Sequence, residues 1–211
     1  MKKIAITGTI GSGKTTVAYL LRRRRMPVFD ADGYSRICFN RTHPAYNEMV
    51  EAFSEDILDE TGEIVRSRLA EKAFSSEENR LKLNAIIHPH VKDGLMRFFE
   101  NHSDAPMVFA EIPLLYEVGW DSLFDVCCVV TCSDETAVER LMEYREFTRE
   151  DAERRIAAQL DREEKCRRAD YVLNNDGTIK DLDHSVALWI AGLKGNRHGT
   201  ERKRSLPGNM H

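Results

Sequence analysis

An α/β fold, a parallel sheet flanked by helices, is the class this sequence predicts, and three observations predict it. Short apolar runs recur at 2–7, 28–29, 107–112, 126–130 and 171–173. Stretches of helical character separate them, and strands alternating with helices imply parallel pairing through crossover helices. A glycine-rich turn joins the first run directly to the first helical stretch.

Taken in order, residues 2–7 read as a short buried strand, and 8–13 as a polar, glycine-rich turn. From Lys14 to Arg25 the pattern is helical, with Val17, Leu20 and Leu21 apolar at helical spacing. Val28 and Phe29 form a second strand, entered through Pro27 and ended by Asp30-Ala31-Asp32. Residues 33–103 are helical, broken at Thr61-Gly62 and at His88-Pro89. Proline biases the residue before it away from helix, so one helix is expected to end near His88. The runs 107–112 and 126–130 suit strands buried on both faces. Residues 135–160 are charged and helical, two helices joined near Phe147-Thr148, where Thr148 and Asp151 resemble a capping box. Residues 171–173 form a fifth strand, closed by the turn signal Asn175-Asp176-Gly177, and 181–193 a closing helix. The polar, basic stretch 194–211 is expected to be a disordered tail.

The length of 211 residues suits one compact unit. A net charge of −4 argues against polyanion binding by bulk charge, so no nucleic-acid partner is expected. The run Arg22 to Arg25 is read as complementing the C-terminal end of the first helix. Five cysteines without a C-x-x-C pair suggest neither a disulfide framework nor a zinc site, and buried thiols suit a reducing cytosol. His88-Pro89-His90 has no cysteine or third histidine nearby to complete a metal site. No apolar stretch approaches the roughly 20 residues that span a bilayer. The expectation is a cytoplasmic protein, without a membrane partner, as a monomer or small homo-oligomer.

Gly8-Thr9-Ile10-Gly11-Ser12-Gly13-Lys14-Thr15 matches G-x-x-x-x-G-K-[ST] at every fixed position. Phosphate oxygens need several backbone N–H groups converging on them, and glycines remove the side chains that would block the approach. The motif follows a strand and opens a helix, as a phosphate loop must, so Gly8 to Thr16 is the expected ATP site. Lys14 is placed to reach the β- and γ-phosphates, and Thr15 offers a hydroxyl to Mg²⁺. A guanine-selective N-K-x-D or T-K-x-D is absent, which favours a small P-loop kinase over a GTPase.

Asp30-Ala31-Asp32 closes the second strand, and ligands gather beyond the carboxyl ends of such strands. In an extended chain both aspartates would point to one side, one as base and the other positioning substrate or a metal-bound water. The competing reading makes Asp32 a helix N-cap. Glu111, at a strand end, is either a neighbour of the Mg²⁺ site or an ordinary strand-end acid.

These pieces in order resemble the dephospho-coenzyme A kinase family. The resemblance rests on G-T-I-G-S-G-K-T-T, then V-F-D-A-D, Gly62-Glu63-Ile64-Val65-Arg66, the run Asn84 to Ile87 ending in His88-Pro89, Pro113-Leu114-Leu115-Tyr116-Glu117, Ala157-Ala158-Gln159, and Ala169 to Gly177. It covers about residues 1–190. It implies a P-loop NTPase-type parallel sheet flanked by helices, with a helical acceptor-binding insertion and a helical lid. The expected division is one unit over 1–193, with core 1–32, 104–135 and 161–193, insertion 33–103 and lid 136–160. The implied reaction is transfer of the ATP γ-phosphate, with Mg²⁺, to the ribose 3′-hydroxyl of dephospho-CoA, giving coenzyme A. A nucleoside or nucleotide kinase of the same fold, and a nucleotide-gated binding protein, are the competing readings.

By this resemblance Asp32 matches the general base, with Asp30 second for that role. Arg140 falls at the lid entry. The family's second lid arginine corresponds to Tyr144 here, so either Arg145 takes its role or the lid makes one fewer phosphate contact. His88 would line the acceptor pocket and Asn175 would approach the adenine. Arg66 is either a contact to a substrate phosphate or a surface arginine. Glu117 is read as structural.

Overall fold

The computed structural model describes residues 1–195 and 204–205. Six strands, β1 (Lys2–Thr7), β2 (Val28–Asp30), β3 (Met107–Glu111), β4 (Val126–Thr131), β5 (Tyr171–Asn174) and β6 (Arg204–Ser205), form one sheet in the order β2-β3-β1-β4-β5-β6. Among the described residues nine α-helices lie between these strands: α1 (Lys14–Arg23), α2 (Ala31–Ile37), α3 (Pro44–Phe53), α4 (Arg66–Ala73), α5 (Glu77–Asn101), α6 (Asp134–Arg145), α7 (Arg149–Ala157), α8 (Arg162–Arg168) and α9 (Ile179–Gly195). Two compact units result, one of residues 1–29 and 102 onward, the other of 30–101.

In the first unit, β1 pairs in parallel with β3 and β4, and β4 with β5. The registers Ile6 to Glu111, Thr7 to Val129 and Thr131 to Asn174 align the carboxyl ends of these four strands on one edge of the sheet. Ile4, Ala5 and Ile6 are fully buried, as are Val108, Phe109 and Ala110, the composition expected of strands covered on both faces. Helix α1 lays Val17, Ala18, Leu20 and Leu21 onto this sheet. Helix α9 adds Leu182, Val186 and the fully buried Trp189, whose ring meets Phe109 edge-on with centroids 5.6 Å apart. Burying such side chains contributes about 1.5–3 kcal/mol each.

Helices α6 and α7 pack on each other through a small cluster of Val138, Leu141 and Ala152, with Ile10, Phe147 and Ile156 against it. Thr148 caps α7 by accepting from the Asp151 N–H at 3.1 Å, the capping box the sequence suggests. The closing helix is longer than 181–193, taking in Lys194 and Gly195, while Arg204–Ser205 pairs with β5. The rest of the expected tail lies outside the described residues.

The second unit is helical. Its only strand-like feature among the described residues is an isolated bridge between Leu58 and Ile64. The helix expected to end at His88 does not. Helix α5 runs unbroken for 25 residues with Pro89 inside it. Pro89 removes one backbone donor and costs about 3 kcal/mol in a helix interior. Ile87, Val91, Leu95 and Phe99, spaced by four, form one buried stripe on both sides of it, and their burial outweighs that cost. Tyr34 packs its ring where a Cβ on Gly94 would stand 2.3 Å from the ring carbon Cζ.

Candidate functional site

The loop after β1 takes its shape from glycines at places where a side chain cannot fit. A Cβ on Gly8 would lie 2.1 Å from the carbonyl oxygen of Val130, backbone against backbone, at φ +150°. A Cβ on Gly13, at φ +94°, would lie 2.1 Å from Asn175 Nδ2. Gly13 also ends the loop as the N-cap of α1, which has no acidic residue in its first turn. The positive end of that helix is therefore open to an anion.

Side chains then fix the loop. Lys14 is buried and its Nζ donates to the carbonyl of Thr9 at 2.8 Å, across the loop. Thr15 Oγ1 donates to Glu111 Oε1 at 2.7 Å, which ties the start of α1 to the end of β3. Glu111, at the end of β3, is thereby the hydrogen-bond acceptor of the Thr15 hydroxyl. The Asn175 amide donates to the carbonyl of Ser12 at 2.8 Å, and its backbone carbonyl accepts from Arg140 Nη2 at 2.8 Å. Asn175 therefore buttresses the loop and holds Arg140 through its backbone carbonyl.

Two buried polar atoms here have no hydrogen-bond partner among the described residues: Ser12 Oγ and Arg140 Nη1. A buried unsatisfied donor costs about 1–3 kcal/mol, so their placement around the loop marks where a ligand rich in acceptor oxygens repays it. A triphosphate is such a ligand. The oxygen donors Thr15 and Glu111 also suit a hard cation such as Mg²⁺, which keeps several waters and takes the rest of its ligands from phosphate. No group of three or more acidic, histidine or cysteine side chains among the described residues is placed to hold a metal by itself.

Arg145 is exposed in the last turn of α6, next to the exposed Tyr144. Arg149, Arg154 and Arg155 are engaged locally, with Glu135, with Asp151 and over the Phe147 ring, as a solvated helical face would have them. Arg22 and Arg23 end α1, and Arg24 caps it by donating to the Leu20 carbonyl at 3.0 Å while pairing with Asp183 at 2.8 Å.

The second unit holds the remaining candidates. The extended geometry expected of Asp30-Ala31-Asp32 is not what forms. Asp30 is the N-cap of α2, accepting from the Gly33 N–H at 2.8 Å, and Asp32 is exposed in the first helical turn. The two carboxylates thus have different duties, and the cap is Asp30 rather than Asp32. Gly33 makes this possible, since a Cβ there would meet Asp30 Oδ2 at 2.6 Å. Arg66 opens α4, exposed, with its guanidinium 5.5 Å from the centroid of the Phe39 ring. His88 is half-buried on α5, and burial holds its pKa below the ordinary histidine value. His43 and His90 meet edge-on at 5.1 Å, with His90 paired to Glu48 at 2.8 Å.

The thiols have no part in this chemistry. Cys38, Cys127, Cys128 and Cys132 are buried and unpaired, and burial pushes the Cys127 thiol up to about 12. No helix among the described residues is long and apolar enough to cross a membrane. Two structural residues, Lys165 and Gln159, escaped the sequence reading. Lys165 is fully buried and pairs with Glu117 at 2.7 Å, and Gln159 Oε1 accepts the Ile10 N–H at 2.8 Å. Only Gln159 and Glu117 carried any signal, through the A-A-Q and P-L-L-Y-E blocks.

Known proteins resemble this chain along nearly all of its length. A family model described as dephospho-CoA kinase matches residues 2–181. A dephospho-CoA kinase of Bacillus cereus is 44% identical over 189 residues, which span 89% of this chain and 94% of that protein. One from Corynebacterium glutamicum is 41% identical over 195 residues, 92% of this chain and 98% of that one. A crystal structure from Thermus thermophilus matches with a TM-score of 0.80 at 37% identity, covering 91% of this chain and 97% of the other.

Proposed function

The chain belongs to the dephospho-CoA kinase family, and from that premise we propose how its residues carry the reaction. The activity is ATP-dependent phosphorylation in coenzyme A synthesis, with the ribose 3′-hydroxyl of dephospho-CoA as acceptor. Little covalent chemistry falls to the protein in such a transfer; positioning and charge stabilisation supply most of the rate.

Residues Gly8 to Thr16 hold the phosphates of ATP through backbone N–H groups and the start of α1. Lys14 leaves its bond to Thr9 and follows the charge on the β- and γ-phosphates. Arg140, already bonded to Asn175 by one nitrogen, turns the other to the phosphate oxygens. Arg145 adds a second guanidinium from the end of α6. Thr15, with Glu111 beside it, would hold Mg²⁺, which would supply neutralisation of phosphate charge. Asp32 orients the acceptor hydroxyl and takes its proton. Asp30 is spent as a cap and so serves that role less well. Arg66 and His88 contact dephospho-CoA. A cytosolic site of action suits an ATP-consuming enzyme with unpaired thiols.

One observation carries this reading: two orphaned polar atoms, Ser12 Oγ and Arg140 Nη1, border a loop whose lysine and threonine are already held in place. The test is to incubate the protein with Mg-ATP and dephospho-CoA, beside adenosine and nucleoside monophosphates, and to follow ADP and product mass. Phosphate gained by dephospho-CoA alone is expected. Lys14→Ala abolishes turnover. Asp32→Asn lowers kcat by about 10²–10⁴, the range of a lost general base, with ATP binding kept. Wild-type turnover by Asp32→Asn refutes the base assignment, and transfer only to a nucleoside or monophosphate refutes the acceptor.

A further inference from the structure

The phosphate loop is gripped at Ile10 by the lid. Its side chain packs against the cluster of Val138, Leu141 and Ala152 that joins α6 to α7. Its backbone N–H is not turned to a ligand but donates to Gln159 Oε1 at 2.8 Å, just past the end of α7. Next to it, Gly11 lies so close to α6 that an added Cβ would stand 2.9 Å from the Ala137 carbonyl oxygen. Gln159 is itself followed by anchored residues. The following Leu160 N–H donates to Glu117 Oε1 at 3.3 Å, Glu117 pairs with buried Lys165, and Asp161 caps α8 through the Glu164 N–H. Beside these contacts a cavity of about 430 Å³ is lined by Thr9, Val138, Ile156, Gln159 and Leu160. The lid base and the loop are thus apart over much of that face, and their contact concentrates at Ile10 and Gly11.

We infer that Gln159 is a positioning residue for phosphoryl transfer, a latch that holds the tip of the phosphate loop to the lid through the Ile10 N–H. The inference rests on the reading of this loop as the ATP site. Its logic is geometric. The Ile10 N–H points to the lid, which leaves the phosphates of the nucleotide to the other backbone N–H groups of Gly8 to Thr16 and the start of α1. Loss of the latch therefore leaves nucleotide binding largely in place. It removes one of the ties that hold the loop tip against the lid, whose helix α6 carries Arg140. A guanidinium that must meet charge developing on the transferred group is sensitive to such a shift, because misplacement by a fraction of an ångström erodes transition-state stabilisation more than ground-state binding.

The acceptor oxygen is the operative atom, and two variants of the full chain isolate it. Gln159→Met keeps the length and removes the acceptor; Gln159→Glu keeps an acceptor oxygen. Wild-type transfer to dephospho-CoA is measured first, so that a failure of the activity reading shows there. Hydrogen exchange at the Ile10 amide, with and without a non-hydrolysable ATP analogue, reads the latch without reference to any acceptor. Gln159→Met is expected to speed that exchange and lower kcat about tenfold, equivalent to about 1.4 kcal/mol, with the Kd for the analogue within about threefold of wild type. Gln159→Glu is expected to restore protection and most of kcat, its added charge showing as a raised KM for ATP. Wild-type kcat in Gln159→Met overturns the inference. So does a loss of nucleotide affinity that accounts for the whole fall in kcat/KM, or a Gln159→Glu protein as slow as Gln159→Met.

Discussion

Glu117→Ala is expected to destabilise the protein far more than the loss of an exposed ion pair would. Lys165 is 0% exposed, and Glu117 Oε1 stands 2.7 Å from its ammonium. With the carboxylate gone, the ammonium keeps, among the described residues, only the Pro113 carbonyl at 3.3 Å, which Thr7 Oγ1 already reaches at 3.1 Å. The Leu160 N–H loses its acceptor as well. Breaking a buried pair by removing one partner costs about 3–5 kcal/mol. The Glu117 side chain is 24% exposed, so water reaches part of the space left behind, and the lower end, about 3 kcal/mol, is the expected cost. With a urea m-value of about 3 kcal/mol/M, the unfolding midpoint falls by about 1 M. Two controls bracket the claim. Glu164→Ala removes the pair with Arg167 at 2.6 Å, whose side chains are 35% and 69% exposed, and shifts stability by less than about 0.5 kcal/mol. The double variant Glu117→Gln with Lys165→Met removes the stranded charge and recovers most of the loss. A Glu117→Ala midpoint within about 0.2 M of wild type, or a double variant no better than Glu117→Ala, refutes the reasoning.

Three further outcomes follow from the geometry. Gly8→Ala drives a methyl group into the Val130 carbonyl oxygen, 2.1 Å from the ideal Cβ, and is expected to cost more than about 2 kcal/mol and most ATP affinity, read by thermal unfolding and calorimetric titration. Glu111→Gln weakens the carboxylate support of Thr15 and raises the Mg²⁺ concentration for half-maximal activity about tenfold, with kcat at saturating Mg²⁺ less affected. His43 is held below its ordinary pKa, by burial first and then by His90 and Arg97, against the pull of Glu48, while its Nδ1 accepts the Ala45 N–H. The folded state binds fewer protons at this site than the unfolded chain. The stability it contributes is therefore complete above the ordinary histidine pKa and is lost as pH falls through the lowered one. The wild-type urea midpoint should drop between pH 7.5 and pH 5 more than that of His43→Asn, whose side chain still caps α3; equal drops would remove His43 as the cause.

Much of this molecule could be read from local sequence. The strands at 2–7, 107–111, 126–131 and 171–174 stand out because strands covered on both faces are continuously apolar, and the phosphate loop because its glycines are dictated by backbone geometry. The failures have physical causes. Pro89 was a break by local rule, and the Ile87 to Phe99 stripe, whose worth depends on tertiary packing, overrode it. The pattern D-A-D puts Asp30 and Asp32 on one side of an extended chain, whereas the missing Cβ of Gly33 lets the helix start immediately after Asp30. Helix α8, with the sequence R-E-E-K-C-R-R, looks solvated throughout, and the distant Glu117 and Pro113 carbonyl make burial of Lys165 tolerable. Asn175 looked like a turn residue, and its contact with Ser12 spans 163 positions.

These long-range contacts share one task, which explains why the site needs more of the chain than its motif. Backbone N–H groups can cradle phosphate only if they are held convergent before the ligand arrives, since a loop that must be ordered on binding loses that entropy from its affinity. Glycines give the loop its curvature but remove the side chains that would otherwise pin it. The pins must then come from elsewhere: Glu111 from β3 on Thr15, Asn175 from the end of β5 on Ser12, and Gln159 from beyond α7 on Ile10. Each arrives from a different element, so each ties the loop to a different part of the first unit. The first two hold the loop to the sheet, and the third holds it to the lid.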